Sequence, residues 1–157
     1  MRLSLYCIGR VSENWLRSGV DDYAGRIRRY LPLTEHALKE EKPGRKPDPR
    51  LIRSKEGERL LARLPEAATV VVLDENGRGL SSEDLAEMLG RQMLEGTGEV
   101  ALVIGGAYGL NDAVKERADL LLSLSAMTLT HQMARLLLFE QLYRGLTIVR
   151  NEPYHNR

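Results

Sequence analysis

Short unbroken apolar runs alternate along this chain with longer stretches whose apolar positions recur every three or four residues. Leu3 to Ile8 is the first such run, ended by Gly9, and reads as a buried strand. From Glu13 to Tyr30 the residues Trp15, Leu16, Val20, Tyr23, Ile27 and Tyr30 fall at helical spacing, weakened by Gly19 and Gly25 and closed by Pro32. Leu33 to Leu38 suits a second strand, and Lys42 to Arg50, with three prolines and a glycine, a basic loop. Asp48 and Pro49 then suit a helix start, with Ile52, Leu60, Leu61 and Leu64 as its stripe and Pro65 as its stop.

Beyond Pro65 the alternation becomes regular. Thr69 to Leu73 is a β-branched strand, and Asn76-Gly77 marks a turn after it. Ser81 or Ser82 caps a helix through Leu85, Met88, Leu89 and Met93 that ends at Gly96. Val100 to Ile104 is a strand, Asn111 opens a short helix, Leu120 to Leu122 is another strand, and Thr130 to Leu146 is a long helix. Unbroken apolar strands separated by helices predict an α/β fold with a parallel sheet covered on both faces, in a single domain over residues 1–157. The last helix is apolar around nearly its whole circumference, so it is either a central core helix or is covered on its far side by a second subunit.

Parallel sheets bind ligands beyond the carboxyl ends of their strands, and three such ends recur here, at Leu73, Gly105 and Leu124. Gly105-Gly106 lets backbone approach a ligand closely, and Leu124 to Leu129 adds apolar side chains and main-chain hydrogen-bonding groups. On spacing alone the glycines equally suit a tight strand-to-helix turn, and Thr128 or Thr130 a helix cap.

Composition removes other classes. With 157 residues, 43% hydrophobic and 29% charged, the chain is ordinary globular protein. Its net charge of +1, from 23 basic and 22 acidic residues, confines any nucleic-acid contact to local patches. The single cysteine, Cys7, lies in an apolar run and reads as a buried structural thiol in a reducing, cytoplasmic setting. No signal-peptide pattern or stretch of about 18 apolar residues is present, which predicts no membrane span. Gly-Gly-x-x-Gly is neither dinucleotide fingerprint nor P-loop, no Gly-x-Ser-x-Gly elbow occurs, and three scattered histidines predict no metal site.

Five segments in register, Ile104-Gly-Gly-Ala-Tyr-Gly-Leu110, Leu122-Ser-Leu-Ser-Ala-Met-Thr128, His131-Gln-Met-Ala-Arg135, Glu140-Gln-Leu-Tyr-Arg144 and Glu152-Pro-Tyr-His155, resemble the RlmH family. These are ribosomal large-subunit pseudouridine N3-methyltransferases of the SPOUT superfamily, and the resemblance covers the whole length. It implies a three-layer α/β fold with a C-terminal trefoil knot, a homodimer, and S-adenosylmethionine held by Leu73, Gly105, Leu124, Ser125, Ala126, Met127, Thr128 and Leu129. These are the strand ends already selected. Thr130 stands where many members carry proline before the histidine, and Asn156 where relatives often carry a basic residue.

The implied reaction is methylation of N3 of a pseudouridine in the helix 69 stem-loop of large-subunit rRNA, on the assembled ribosome. N3 must lose its proton, and His155 is the candidate acceptor because imidazole titrates near neutrality. Tyr154 is the candidate for stacking on the base, and Arg157, Arg150 and Arg144 for holding phosphates or a developing oxyanion. His131 is expected to organise the helix start and His36 to be incidental. The competing readings are a ribosome-binding factor without catalysis and a SPOUT methyltransferase acting on tRNA.

Overall fold

Five parallel strands, β1 Arg2–Ile8, β2 Leu33–Leu38, β3 Thr69–Gly79, β4 Glu99–Ile104 and β5 Leu120–Ser123, form one sheet in the order β2-β1-β4-β3-β5. Five helices connect and follow them: α1 Asn14–Ile27, α2 Pro49–Arg63, α3 Ser82–Leu94, α4 Asp112–Glu116 and α5 His131–Val149. The structure is a computed structural model and describes residues 1–156. None of its helices is long and apolar enough to cross a membrane, among the described residues.

Alternation along each strand divides the core in two. Leu3, Leu5 and Cys7 of β1, Val71 of β3, and Val100 and Leu102 of β4 face a layer built from α1, α3 and α5. Tyr6 and Ile8, Val70 and Val72, and Ala101 and Val103 face α2 and α4 through Leu60 and Val114. Two-sided burial is why the strands read as unbroken apolar runs. The helix α5 is the centre of its layer, with Leu138, Phe139, Leu142 and Leu146 fully buried. Thus a core role accounts for most of its apolar girth, although Leu137 stays exposed.

The helix starts follow local chemistry. Asp48 caps α2 by accepting from the Arg50 N–H, with Pro49 in the first turn. Ser81 and Asp84 form a reciprocal capping box on α3, and the Asn111 side chain caps α4. Thr130 caps α5, its hydroxyl accepting from Met133 N–H at 3.2 Å. At the far end Asn151 adopts φ 54°, the left-handed residue that commonly ends a helix.

Three expectations need correction. Asn76-Gly77 does not end β3, which continues to Gly79 through an irregularity: Leu73 and Arg78 both lie opposite Leu122, so residues 74–77 bulge out. The first helix is shorter than its apolar spacing suggests, and Tyr30 lies past its end. Trp15 does not belong to the buried stripe of α1, which is Leu16, Val20, Ala24 and Ile27; its side chain is 64% exposed. Cys7 is buried as expected, its thiol facing the Gly9 and His36 carbonyl oxygens at 3.8 Å, and burial raises its pKa.

Candidate active site

The bulge of β3 and the carboxyl ends of β4 and β5 open into one cleft of about 1110 Å³, just above the range of roughly 300 to 1000 Å³ for small-molecule sites. Leu73, Gly105, Leu124, Ser125, Met127, Thr128 and Leu129 all line it. Ala126, the eighth candidate, is exposed at the loop tip and is not among the lining residues.

Each wall is held by its own bonds. After β5 the chain turns tightly, Ser123 Oγ donating to the Ser125 carbonyl and Met127 N–H to Ser125 Oγ, both at 2.9 Å. Thr128 Oγ1 donates to Glu75 Oε2 at 3.0 Å, tying this loop to the bulge of β3. Ser12 N–H donates to Gln132 Oε1 at 3.1 Å, joining the approach to α1 to the start of α5. Gly105 is steric: a Cβ there would stand 2.8 Å from Leu110 Cγ and 3.1 Å from the Gly109 carbonyl carbon. Only a residue without a side chain lets β4 turn so sharply into the cleft.

Sequence reasoning missed several lining residues. Asp74, in the bulge of β3, pairs with Lys115 at 2.7 Å, and both face the cleft. Burial works against the Asp74 carboxylate, but Lys115 and the Asn76 amide hold its pKa below the ordinary value. Arg53 donates to the Tyr108 carbonyl at 3.3 Å, and Trp15 stands exposed on the rim, as does Met127. Their signal was position after an apolar run for Asp74 and none for Arg53 or Trp15, which topology brings in from distant segments. His131 lines the cleft at the start of α5. His36 lies elsewhere, its ring stacked on Tyr6 at 4.6 Å.

Tyr154 and His155 do not reach this cleft in their own chain. His131 and the tail sit at opposite ends of the 19-residue α5, about 27 Å of helical rise. There His155 Nε2 meets Glu83 Oε1 at 2.9 Å and Nδ1 meets Arg144 Nη1 at 3.3 Å. Tyr154 packs edge-on against Tyr143 at 4.6 Å, with the Arg144 guanidinium over its ring at 4.7 Å. Its hydroxyl donates to Glu140 at 3.1 Å and meets the Tyr23 hydroxyl at 3.3 Å. Burial, then these bonds, push its pKa well above the ordinary value, so it remains a neutral phenol. Arg150 is exposed, and Arg157 lies outside the described residues.

The chain has counterparts among known proteins. Residues 1–155 match the family described as "Predicted SPOUT methyltransferase". A protein of Syntrophotalea carbinolica named "Ribosomal RNA large subunit methyltransferase H" is 59% identical over 157 residues, covering 100% of both chains. A protein of the same name from Geotalea daltonii is 47% identical over 156 residues, covering 99% of this chain and 100% of the other. Among solved structures, a probable methylase family protein from Haemophilus influenzae superposes with a TM-score of 0.52 at 15% identity, over 99% of this chain and 70% of that one, a likeness of fold alone. The chain belongs to the SPOUT methyltransferase family, among full-length relatives that carry the ribosomal large-subunit methyltransferase H name.

Proposed function

We propose that this protein methylates N3 of a pseudouridine in the helix 69 stem-loop of large-subunit rRNA, on the assembled ribosome, using S-adenosylmethionine. The observation that carries the reading is the gathering of Leu73, Gly105 and five residues of the 124–129 run around one cleft, in a chain whose full-length relatives are named for this class of reaction. The fit to the cofactor rests on shape and donors. A side chain at Gly105 would collide with Leu110 and the Gly109 backbone and displace the glycine loop, and the 124–129 loop offers main-chain groups beside apolar surface for a flat heterocycle. When bound, S-adenosylmethionine supplies an activated methyl group on its sulfonium.

The residues of the chain then have positioning and proton-transfer work. The cleft walls fix the reacting atoms in line, which is the larger part of such an acceleration. His155 accepts the N3 proton, Tyr154 stacks on the base, and Arg144, Arg150 and Arg157 hold phosphates or the developing oxyanion. Because the tail stands at the far end of α5 from its own cleft, this chemistry calls for a homodimer in which the tail of one copy serves the cleft of the other. The same reading takes residues 1–157 as one cytoplasmic domain with a trefoil-knotted C-terminal part.

The deciding experiment incubates the protein and labelled S-adenosylmethionine with ribosomes or with tRNA and maps the methylated nucleotide. Label at N3 of a helix 69 pseudouridine is the expected result. Label in tRNA redirects the target. Saturable ribosome binding without label or cofactor heat identifies a binding factor and overturns the proposal.

A further inference from the structure

One acidic residue sits where an apolar one belongs. In α2 the stripe that meets the sheet runs Ile52, Glu56, Leu60, at intervals of four, and all three are buried. Glu56 is 3% exposed, and carboxylates are almost never buried without a specific partner. Its Oε1 accepts the Glu41 N–H at 2.9 Å. Its Oε2 is buried with no hydrogen-bond partner.

Both oxygens face the glycine loop of the cleft. A Cβ on Gly106 would stand 2.9 Å from Glu56 Oε2, 3.4 Å from Oε1 and 3.0 Å from Ile8 Cγ2. The neighbouring Gly57 is equally close to the other end of that loop, where a Cβ would stand 2.5 Å from Asn111 Oδ1. Arg53 holds the middle through the Tyr108 carbonyl. Positions 53, 56 and 57 share one helical face, so a single side of α2 backs the segment from Gly106 to Asn111 at three points. Turning from the cleft, the same helix grips the segment leading into the basic loop. Arg59 donates to the Lys39 carbonyl at 2.9 Å and pairs with Glu41, and Lys55 pairs with Glu41 at 3.4 Å.

We infer that Glu56 is a positioning residue for the cofactor cleft: its carboxyl, anchored on the Glu41 N–H, packs directly behind Gly106 and so fixes the glycine loop against which the cofactor rests. This rests on the methyltransferase reading of the cleft. Burial raises the Glu56 pKa, Glu40 and Glu41 add to the rise, and the Glu41 N–H and Arg59 oppose it. Glutamine matches the carboxyl in shape and keeps an oxygen that can accept the Glu41 N–H.

The test uses the full-length protein with Glu56→Gln, Glu56→Asp and Glu56→Ala. Amide hydrogen exchange across residues 105–111 is measured without cofactor, and S-adenosylmethionine affinity by calorimetry. Glu56→Gln is expected to keep both properties of the parent. Glu56→Asp, which folds with the same charge but withdraws the carboxyl by one methylene, and Glu56→Ala are expected to speed exchange across the loop. Both are expected to raise the cofactor Kd about tenfold, the effect of losing one buried polar contact. Parent-like exchange across the loop in Glu56→Asp and Glu56→Ala overturns the inference whatever the affinity does. Absence of saturable binding by the parent would instead overturn the reading of the cleft, leaving the exchange data to decide on Glu56.

Discussion

Gly77 presses against the backbone of Leu121, so that a Cβ there would stand 2.7 Å from both the carbonyl carbon and oxygen of Leu121 and 2.8 Å from the Leu122 carbonyl carbon. Backbone cannot swing aside as a side-chain tip does, so Gly77→Ala must displace either the β3 bulge or β5. Overpacking of this kind costs about 1 to 3 kcal/mol. We expect Gly77→Ala to lower the unfolding free energy by that amount, read as a lower urea midpoint, and to weaken cofactor binding, because Leu73 pairs with β5 beside this contact. A parent-like midpoint would show that the two strands can separate freely here.

Thr128 and Glu75 make an exposed bond that joins two cleft walls, at 3.0 Å. Such a bond contributes about 1 kcal/mol. Thr128→Val keeps the shape and removes the donor. Its expected effect is a several-fold rise in the cofactor Kd with an unchanged melting temperature, read by calorimetry and thermal unfolding. Equal affinity in the variant would mean that the loop from Leu124 to Leu129 is held by its own serine bonds alone.

The basic loop carries Lys42, Arg45, Lys46 and Arg50, all exposed. If these four meet rRNA phosphates, each contact releases condensed counterions, and the salt dependence of binding records their number. Replacing all four with glutamine is expected to weaken ribosome association and make the logarithmic salt slope shallower by roughly three. Sedimentation with ribosomes at several salt concentrations checks this. An unchanged slope removes the loop from the interface.

How far the residues announced their fold depends on the range of the interaction. Strands buried on two faces and helices with side-chain caps, such as Ser81 with Asp84, are local patterns and were legible. That Leu73, Gly105 and Leu124 line one cleft was legible because apolar runs and the glycines that follow them are local too. Trp15 was not, since amphipathic spacing cannot tell a core position from the rim of a cleft formed by residues more than fifty positions away. Nor was the β3 bulge, because Asn76-Gly77 has the chemistry of an ordinary turn and only pairing with β5 carries the strand onward. The place of the tail was hidden for the same reason, being set by Glu83 and Arg144 on two different helices.

His155 makes the sharpest prediction about catalysis. A proton acceptor typically contributes about 10² to 10⁴ in rate, whereas the cofactor walls do not include the tail. His155→Ala is therefore expected to lower kcat by at least about a hundredfold and to leave cofactor affinity unchanged. Because the tail is remote from its own cleft, mixing His155→Ala with a Gly105→Ala chain is expected to restore part of the activity in mixed dimers. Activity assays on co-purified, differently tagged chains check this. Full activity of His155→Ala alone removes the histidine from the chemistry, and no recovery on mixing removes the shared site.

Glu56 should also leave a mark on stability as a function of pH. Burial raises its pKa in the folded chain, against an unfolded value near the ordinary 4.5. The folded state thus binds this proton more tightly than the unfolded chain does, so the contribution to stability is complete in acid. It is lost as pH rises above the ordinary carboxylate range and through the raised folded value. Glutamine has no proton to lose. The stability of the parent relative to Glu56→Gln is therefore expected to fall steadily as pH increases from about 4 toward neutrality. Urea unfolding of both proteins across that range measures the difference directly, and Arg59, Glu40 and Glu41 are common to both chains. A difference that stays flat with pH, or runs the other way, would mean that Glu56 is solvated or ion-paired in the folded protein, and its carboxyl would then not be the buried wedge behind Gly106.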